Sequence, residues 1–506
     1  MQFLLQWSAL ISLILLVSSS SALLPTGSSN SAGQAACAQL SKLLGQKVSS
    51  IPLDPAYIQS TQKYFSSQQA QNKPSCVVGP TSYSDVTTAV KVIRQFNSTL
   101  AIKAGGHQTN NYWSSTAGGV LIDMIDMRAK TYDSSTQTAY YQPGNKWSDL
   151  YPYYENLGVI PVGGRIADVG SGLSLGGGLS FLSGQYGLAC DSFKALDVVL
   201  IDGTLVQATA TNQYKDLFLS LKGGGNQFGI VVGYTVDVYP IGDTWGGVLI
   251  YGSDQFEAVY QSVLNFTNEN ADPKAAVIGT LEIIGLPSVV DVLTYPVLKG
   301  LTQFILLFNV YDGPDGSEVF KQFTNIPHIL DTRQKQPYTN IANIDPVGNL
   351  SIGSVSFRAG SHSSTSSTAS ATLKQALDDF LDYADQSKGT YDVLSFDMQP
   401  VPASLVQASR AKGGNAQDSV DGPYYWINYL HSTTLGYPSA QQSLADFKTM
   451  VEKTPNDPTL PIFLNDANAD QPILQSYRAF DQLKAAKAKY DPDNYLSTHM
   501  GGPSFS

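Results

Sequence analysis

The stretch DVGSGLSLGGGLSFLSGQYGLACD, residues 168–191, is rich in glycine and follows two further glycines at positions 163 and 164. Because glycine has no Cβ atom, its backbone N–H groups can come close to a phosphate group or a flat ring. Seven glycines in residues 163–178 also oppose a helix at this point. The stretch therefore favours an irregular ligand-binding loop, with a set of ordinary tight turns as the alternative.

A second glycine turn lies about sixty residues earlier, in AIKAGGHQTNNYW (101–113). A short apolar run predicts a strand that ends at Lys103, and Gly105 and Gly106 then precede His107. The chain has only five histidines. Taken alone, His107 is best interpreted as a turn residue that satisfies a backbone carbonyl.

A hydrolase site or a dinucleotide fingerprint fits the glycine-rich stretch less well. Residues 172–176 form a G-x-S-x-G motif, in which Ser174 would be a hydrolase nucleophile and His431 or His499 the base. The surrounding glycines oppose the helix that such a nucleophile needs. The spacing of the glycines is one residue longer than in a dinucleotide-binding fingerprint. The five histidines are scattered along the chain, so no metal site is predicted.

The composition restricts the possible partners. A chain of 506 residues predicts two domains or one two-lobed unit. The net charge is −11, and no run of lysine or arginine occurs. Nucleic acid and anionic membrane surfaces are therefore not expected partners.

The N-terminus predicts a secretory signal peptide over residues 1–22. Its apolar run is shorter than the ~20 residues of a membrane span and ends in small residues that suit cleavage. We therefore expect a secreted protein without a membrane anchor after signal removal. Asn-x-Ser/Thr triplets at Asn97, Asn265 and Asn349 predict glycosylation.

The chain has three cysteines, and in an oxidising compartment two of them can pair. Cys37 and Cys76 flank a helical N-terminal segment, so a bridge between them is the simplest prediction. Cys190 is then a small buried side chain.

Helical and strand patterns alternate without strict βαβ repetition, which predicts an α+β fold. Residues 82–97 predict a helix capped by Ser84, and LDVVLIDGTLVQAT (196–209) predicts a hairpin. Residues 304–311 and 391–400 predict strands, 371–386 a helix, and the serine-rich piece 360–370 a flexible loop.

Four motifs in one order, IKAGGHQ (102–108), VGSGLSLGGGLSFLSGQYGLACD (169–191), LKGGGNQFGIV (221–231) and KAKYDPDNYL (487–496), resemble a known family. They are similar to the fungal FAD-linked oxidoreductases, the berberine bridge enzyme-like, oxygen-dependent members of the vanillyl-alcohol oxidase superfamily. The resemblance implies a PCMH-type FAD-binding domain at 74–241 with 23–73 as its N-terminal part. It also implies an α+β substrate domain at 242–455 and a C-terminal segment, 456–506, that completes the FAD domain.

The resemblance also implies roles for individual residues. His107 matches the histidine that is bonded covalently to the flavin, and Ile166 stands where a second, cysteine link would begin, which predicts a single link. The other residues expected to bind FAD are Lys103, Gly105, Gly106, Gln108, Val169, Gly170, Gly172, Gly177, Gly178, Tyr186, Gly187, Ile230 and Val231.

The candidate catalytic residues are Tyr425 and Asn465. Asn465 ends Phe463-Leu464-Asn465, which matches a Tyr-x-Asn of plant relatives without its phenol. Tyr425 lies in GPYYWINYLH (422–431) and is the candidate base, although these aromatics can equally form the packed face of a strand.

The family implies hydride transfer from a small organic substrate to the flavin and reoxidation by O2 to give H2O2. Gln108-Thr109 replaces a Ser/Thr-Tyr of the family, which favours a secondary-metabolite intermediate as the substrate. We also expect the enzyme to be a monomer. The alternatives are a carbohydrate or oligosaccharide oxidase, a flavin-binding protein without catalysis, and a secreted serine hydrolase that uses Ser174.

Overall fold

A computed structural model describes residues 30–285, 298, 301–344, 353–434 and 440–506. The predicted signal peptide and the triplet at Asn349 lie outside the described residues. Helices and mostly antiparallel sheets alternate along the chain, which confirms the predicted α+β class. The α-helices are Asn30–Leu44, Pro55–Gln62, Ser67–Ala70, Tyr83–Gln95, Trp147–Glu155, Ser183–Tyr186, Lys215–Leu221, Phe256–Glu269, Lys321–Thr324, Tyr338–Ile341, Ser367–Gln386, Ala403–Ala411, Ala440–Lys453, Phe480–Tyr490 and Tyr495–His499.

The first sheet has the order β1-β2-β4-β3. Its strands are β1 Val48–Ser49, β2 Cys76–Val78, β3 Leu100–Lys103 and β4 Val120–Asp123, and the three longer ones are parallel. The predicted disulfide is present, because Cys37 on the first helix is bonded to Cys76 on β2. Cys190 is a free, buried thiol.

The helix predicted over 82–97 spans Tyr83–Gln95, but its N-cap is Ser82 rather than Ser84. Ser82 accepts a hydrogen bond from the backbone N–H of Asp85, and the Asp85 carboxylate accepts one from the N–H of Ser82. This reciprocal capping box places Ser84 inside the first turn, so the acidic residue three positions after Ser82 was the better signal.

The second sheet has the order β5-β6-β10-β8-β9, and β7 also pairs with β10. Its strands are β5 Lys130–Asp133, β6 Thr138–Tyr141, β7 Val159–Pro161, β8 Phe193–Val199, β9 Leu205–Thr209 and β10 Ile230–Pro240. The hairpin predicted at 196–209 is confirmed: β8 and β9 are antiparallel, with Val199 opposite Leu205.

The third sheet is antiparallel, with the order β14-β11-β13-β12-β17-β18-β16 and β15 paired to β11. Its strands are β11 Thr244–Gly252, β12 Ala275–Ile284, β13 Gln303–Tyr311, β14 Leu330–Asp331, β15 Gln334–Gln336, β16 Ser354–Ser363, β17 Val393–Val401 and β18 Tyr424–Thr433. One face packs against the helices Phe256–Glu269, Ser367–Gln386 and Ala440–Lys453 in a single apolar core. The other face of the sheet lies opposite the two glycine-rich stretches, 101–113 and 168–191.

The serine-rich piece 360–370 is not one loop, as the sequence suggested. Strand β16 continues to Ser363, and the next helix begins at Ser367. Ser366 caps that helix by accepting from the backbone N–H of Ala369. The serines are therefore a strand end and a helix cap rather than a flexible segment.

The C-terminal helices pack against the N-terminal half of the chain. The Tyr495 hydroxyl donates to the carbonyls of Ser98 (2.7 Å) and Ile93 (3.1 Å). The buried Lys487 ammonium donates to the Gln227 carbonyl at 2.9 Å and to the Asp491 carboxylate at 2.7 Å. Within the described residues, we find neither a helix that is long and apolar enough for a bilayer nor a metal-holding group of three or more His, Cys, Asp and Glu.

Candidate active site

A cavity of about 370 Å³ lies between the two glycine-rich stretches and the open face of the third sheet. The end of β3, the loop 164–179 and the start of β10 form one wall. Strands β12, β13, β16, β17 and β18 form the opposite wall, and residues 463–466 form part of the rim. Ten residues expected at the site line it: Gly105, Gly106, His107, Gln108, Val169, Gly170, Gly172, Ile230, Val231 and Asn465.

The two glycine stretches touch each other through their backbones. A Cβ atom at Gly105 would lie 2.4 Å from the amide nitrogen of Gly170, and one at Gly170 would lie 2.4 Å from that of Gly105. Real side chains do not tolerate such distances, so both positions require glycine. Gly106 follows with a φ of +77°, which also favours glycine.

The two glycine-rich stretches line the same wall of the cavity, which we call the glycine wall. His107 lies at its edge, and the His107 side chain is 15% exposed. Its ring stacks on Phe65, with 5.1 Å between the ring centres and 12° between the planes. Its Nε2 lies 3.1 Å from Oδ2 of Asp168, whose Oδ1 accepts from the Lys146 ammonium at 2.5 Å. Partial burial acts to raise the pKa of Asp168, but the hydrogen bonds from His107 and Lys146 outweigh it and lower this pKa to about 2.

Asn465 ties the C-terminal segment to the second glycine stretch. Its Oδ1 accepts from the backbone N–H of Gly178 at 3.1 Å, and its Nδ2 donates to the carbonyl of Leu173 at 3.0 Å. Both ends of the amide therefore bind backbone. Although Asn465 lines the cavity, these bonds assign it to holding the glycine wall in place.

The third sheet presents polar side chains to the cavity. Thr280, Asp397 and Asn428 lie opposite one another on β12, β17 and β18, and Nδ2 of Asn428 donates to Oδ2 of Asp397 at 3.0 Å. Two positions further along the same strands, the Ser395 hydroxyl donates to the Glu282 carboxylate at 2.7 Å. This wall offers two carboxylates to a ligand.

A third carboxylate, that of Asp466, lies at the cavity rim. It accepts from Gln399 Nε2 at 2.6 Å, and Oε1 of Gln399 accepts from the Arg165 guanidinium. Burial raises the pKa of Asp466, and the hydrogen bond from Gln399 opposes this only in part. This row joins the C-terminal segment to strand β17.

Five residues expected to bind FAD do not line the cavity. The Lys103 ammonium is buried and donates to the Ser60 carbonyl at 2.7 Å; burial lowers its pKa. Tyr186 stacks on Tyr239 with 3.7 Å between ring centres. The remaining three are Gly177, Gly178 and Gly187, whose φ values of +112°, +81° and +78° place them in tight turns.

The structure does not bring Tyr425 to the cavity. Side chains alternate along β18, so Asn428, Leu430 and Ser432 line the cavity whereas Tyr425 enters the helix-covered core. Tyr425 is fully buried, and its hydroxyl donates to the Val263 carbonyl at 3.2 Å. Its position matches the packed face of a strand rather than a base.

The hydrolase arrangement is not assembled either. Ser174 is buried within the 3₁₀ turn Ser171–Gly176. His431 lies in the helix-covered core of the third sheet, where its ring is hydrogen bonded to Ser443. The ring of His499 stacks on Tyr495 and is hydrogen bonded to Thr498. Neither ring reaches the serine.

Asp397, Asn428, Glu282 and Arg165 were not predicted from the sequence. The alternation in YDVLSFDMQP (391–400), where Val393, Ser395, Asp397 and Gln399 share one face, could have indicated Asp397, but it carries no signal for the other three. Nothing in the linear order shows that this face, and not the apolar one, meets the glycine loops.

The cavity suits a large cofactor with phosphates and a flat ring. The glycine wall exposes backbone, and the Ser114 hydroxyl and Asn226 Oδ1 are buried in the cavity lining without a hydrogen-bond partner among the described residues. Unpaired buried polar atoms in a cavity wall indicate a missing polar ligand. These groups fit FAD.

Comparisons with known proteins agree with this fit. Residues 74–209 match the FAD binding domain family. An FAD-linked oxidoreductase of Arthroderma benhamiae is 33% identical over 492 residues, which cover 91% of this chain and 93% of the relative. The bifunctional solanapyrone synthase of Alternaria solani is 29% identical over 463 residues, covering 89% and 85%, and further relatives are named FAD-dependent monooxygenases.

The fold is also that of a solved flavoprotein. The berberine bridge enzyme of Eschscholzia californica superposes with a TM-score of 0.73 at 15% identity, covering 93% of this chain and 99% of that one. The cavity and the Arthroderma benhamiae relative, which is 33% identical over 492 residues, together assign the family. The chain is an FAD-binding enzyme with the fold of the berberine bridge enzyme, and it belongs to the FAD-linked oxidoreductases.

Proposed function

We propose that this enzyme is a secreted, monomeric FAD-dependent oxidase that acts on a small secondary-metabolite intermediate. The observation that carries the proposal is the two-sided cavity, with the glycine wall and His107 on one side and acceptor side chains on the other. Bound FAD would supply hydride-accepting chemistry, with O2 as the final electron acceptor and H2O2 as the product.

The glycine wall would hold the cofactor by backbone N–H groups, and His107 would carry a single covalent link. Asp168 occupies Nε2 of the ring, so Nδ1 is the nitrogen available for that link. Ile166, which lines the cavity, has no thiol for a second one. A covalent link would retain the cofactor outside the cell.

On the opposite wall, the group that would accept a substrate proton is the Asp397 carboxylate. It lines the cavity, and Asn428 fixes one of its oxygens. Glu282 is less suited because it is only 3% exposed and already accepts from Ser395. A carboxylate at this position can remove a hydroxyl or amine proton while a hydride leaves the neighbouring carbon.

The substrate class is supported by the wall and by the relatives. Oδ1 of Asn428 has no hydrogen-bond partner among the described residues. Together with the two carboxylates, it suits a ligand that brings hydroxyl or amine donors. The solanapyrone synthase name favours secondary metabolism. A sugar oxidase is the second candidate, because sugars also bring many hydroxyl groups.

The predicted signal peptide and the exposure of two glycosylation triplets support secretion and glycosylation. Asn97 and Asn265 are both exposed, as a glycan requires, and Cys37 and Cys76 form the disulfide expected in an oxidising compartment. A glycosidase-induced mass loss in the protein recovered from culture medium would test this part.

The test is a substrate panel with the purified protein, read out as H2O2. We expect a yellow protein whose colour stays with the polypeptide after acid precipitation, and H2O2 formation equimolar with substrate consumption. Consumption of O2 without H2O2, with oxygen incorporated into the product, would instead favour a monooxygenase. Esterase turnover that is lost in Ser174→Ala would favour the hydrolase.

A further inference from the structure

Three side chains form a continuous row at the edge of the cavity: Lys146, Asp168 and His107. The Lys146 ammonium donates to Oδ1 of Asp168 at 2.5 Å, and Oδ2 of the same carboxylate lies 3.1 Å from Nε2 of His107. Lys146 is 35% exposed, Asp168 50% and His107 15%, so the row leads from the surface into the cavity wall.

Backbone contacts fix the position of this carboxylate. Residues on both sides of Asp168 accept from the start of the helix Trp147–Glu155: Ser148 N–H donates to the Ala167 carbonyl at 2.7 Å, and Trp147 N–H to that of Val169 at 3.1 Å. Lys146 and Gly170 also form a β-bridge. Lys146 and Asp168 are thus held side by side before any ligand binds.

The imidazole is held from a second direction by Phe65. The rings stack at 5.1 Å, and the Phe65 N–H donates to the Gly106 carbonyl at 2.9 Å. The phenyl ring restricts the imidazole plane, and Asp168 restricts its rotation within that plane.

The Asp168 carboxylate determines which imidazole nitrogen carries the proton. Since the pKa of Asp168 is lowered to about 2, the group is an anion near neutral pH and can only accept. The neutral ring must then carry its proton on Nε2, which leaves the lone pair on Nδ1.

We propose that Asp168, anchored by Lys146, is a positioning residue that sets the tautomer of His107 for covalent attachment of the flavin. This inference rests on the proposed covalent link. Attachment forms a bond from Nδ1 to the methyl carbon at flavin position 8 and breaks one C–H bond of that methyl. The proton goes to solvent, the two electrons stay on the flavin, and dissolved O2 removes them as H2O2.

The test compares Asp168→Ala and Asp168→Asn with the unchanged protein. Each is produced free of flavin in a riboflavin-starved host, purified and then incubated with excess FAD. The flavin that stays with the denatured polypeptide is followed over time by fluorescence and intact mass. Asp243→Ala is the matched control, because Asp243 is 56% exposed and also pairs with a lysine, Lys335, at 2.8 Å.

We expect attachment to slow by about tenfold or more in both Asp168 variants, the size of one lost charged hydrogen bond. Total FAD bound before denaturation and the melting temperature should stay near those of the Asp243→Ala control. Attachment at the unchanged rate in either Asp168 variant would overturn the inference. If Asp168→Ala does not fold, Asp168→Asn, which keeps the size and removes the charge, decides.

The two levels of failure are distinguishable. If the unchanged protein carries only dissociable FAD, the proposed covalent link itself is wrong. If it carries covalent FAD and the variants attach it equally fast, only the role of Asp168 is wrong.

Discussion

Asn465 is hydrogen bonded to the backbone N–H of Gly178 at 3.1 Å, so the C-terminal segment directly supports the second glycine stretch. Its other amide group reaches Leu173 at 3.0 Å. A residue expected to act on the substrate thus also shapes the wall against which the cofactor would lie.

Replacing Asn465 by Ala removes both bonds and leaves two backbone groups unpaired. We expect a loss of about 1–3 kcal/mol in the free energy of unfolding and exposure of the flavin to water at a correspondingly lower temperature. Thermal melting followed by protein and flavin fluorescence measures both. The control is Asn343→Ala, whose amide donates to the Thr339 carbonyl at 2.8 Å in an exposed position. Equal melting temperatures for the two variants would contradict the bracing role.

His107→Ala should release the flavin. Without the imidazole no covalent link can form, but the glycine wall remains, so the variant should still bind FAD reversibly. Acid precipitation should then give a yellow supernatant over a colourless pellet. His328→Ala, which changes an exposed histidine bonded to the Ile326 carbonyl, should keep the colour in the pellet. Covalent flavin persisting in His107→Ala would refute the link.

Asp397→Asn should impair chemistry more than binding. The amide cannot accept a proton, and loss of a positioned base costs about 10²- to 10⁴-fold in kcat. We expect the flavin spectrum to be unchanged, because Asp397 lies on the sheet wall. Anaerobic flavin reduction by substrate, measured by stopped flow, isolates this step; a reduction rate within about twofold of the unchanged enzyme would exclude Asp397 as the base.

Tyr425→Phe should have the opposite effect. Removing the hydroxyl breaks the bond to the Val263 carbonyl in the helix-covered core, at a cost of about 0.5–1.5 kcal/mol in stability. The cavity is on the other face, so kcat should be unchanged. A large drop in kcat at normal stability would restore Tyr425 as the base.

His362 should make the protein less stable in acid. Burial, opposed only weakly by Asp457, lowers the pKa of His362 to about 4, whereas the unfolded chain titrates near its ordinary value of 6.5. Between these values the unfolded state binds more protons, so stability is full above about pH 6.5 and falls as the pH drops toward 4. From pH 7 to 5 the loss from this residue is about 2 kcal/mol.

Chemical unfolding of the unchanged protein and of His362→Gln at pH 7 and pH 5 measures this contribution. The variant should lose about 2 kcal/mol less over the same interval. Burial also lowers the pKa of His431, to about 3. Because His431 is present in both proteins, its contribution to the loss of stability cancels from the comparison. Equal losses would show that His362 does not titrate as inferred.

The sequence by itself determined the features that depend on local backbone chemistry. Glycine at 105, 106 and 170 was recognisable because those positions need close approach or positive φ, and the hairpin at 196–209 follows from its Asp-Gly turn. The disulfide was predictable because three cysteines allow few pairings. The order of the motifs indicated the FAD-linked family.

The tertiary structure alone decided which side chains meet across the cavity. Tyr425 and Asn428 are three residues apart on one strand, yet they point to opposite faces, and only the packing of three helices shows which face is covered. The Asp168–His107 contact joins residues 61 positions apart. Local propensity does not encode such contacts, because they depend on how the sheets and loops pack together.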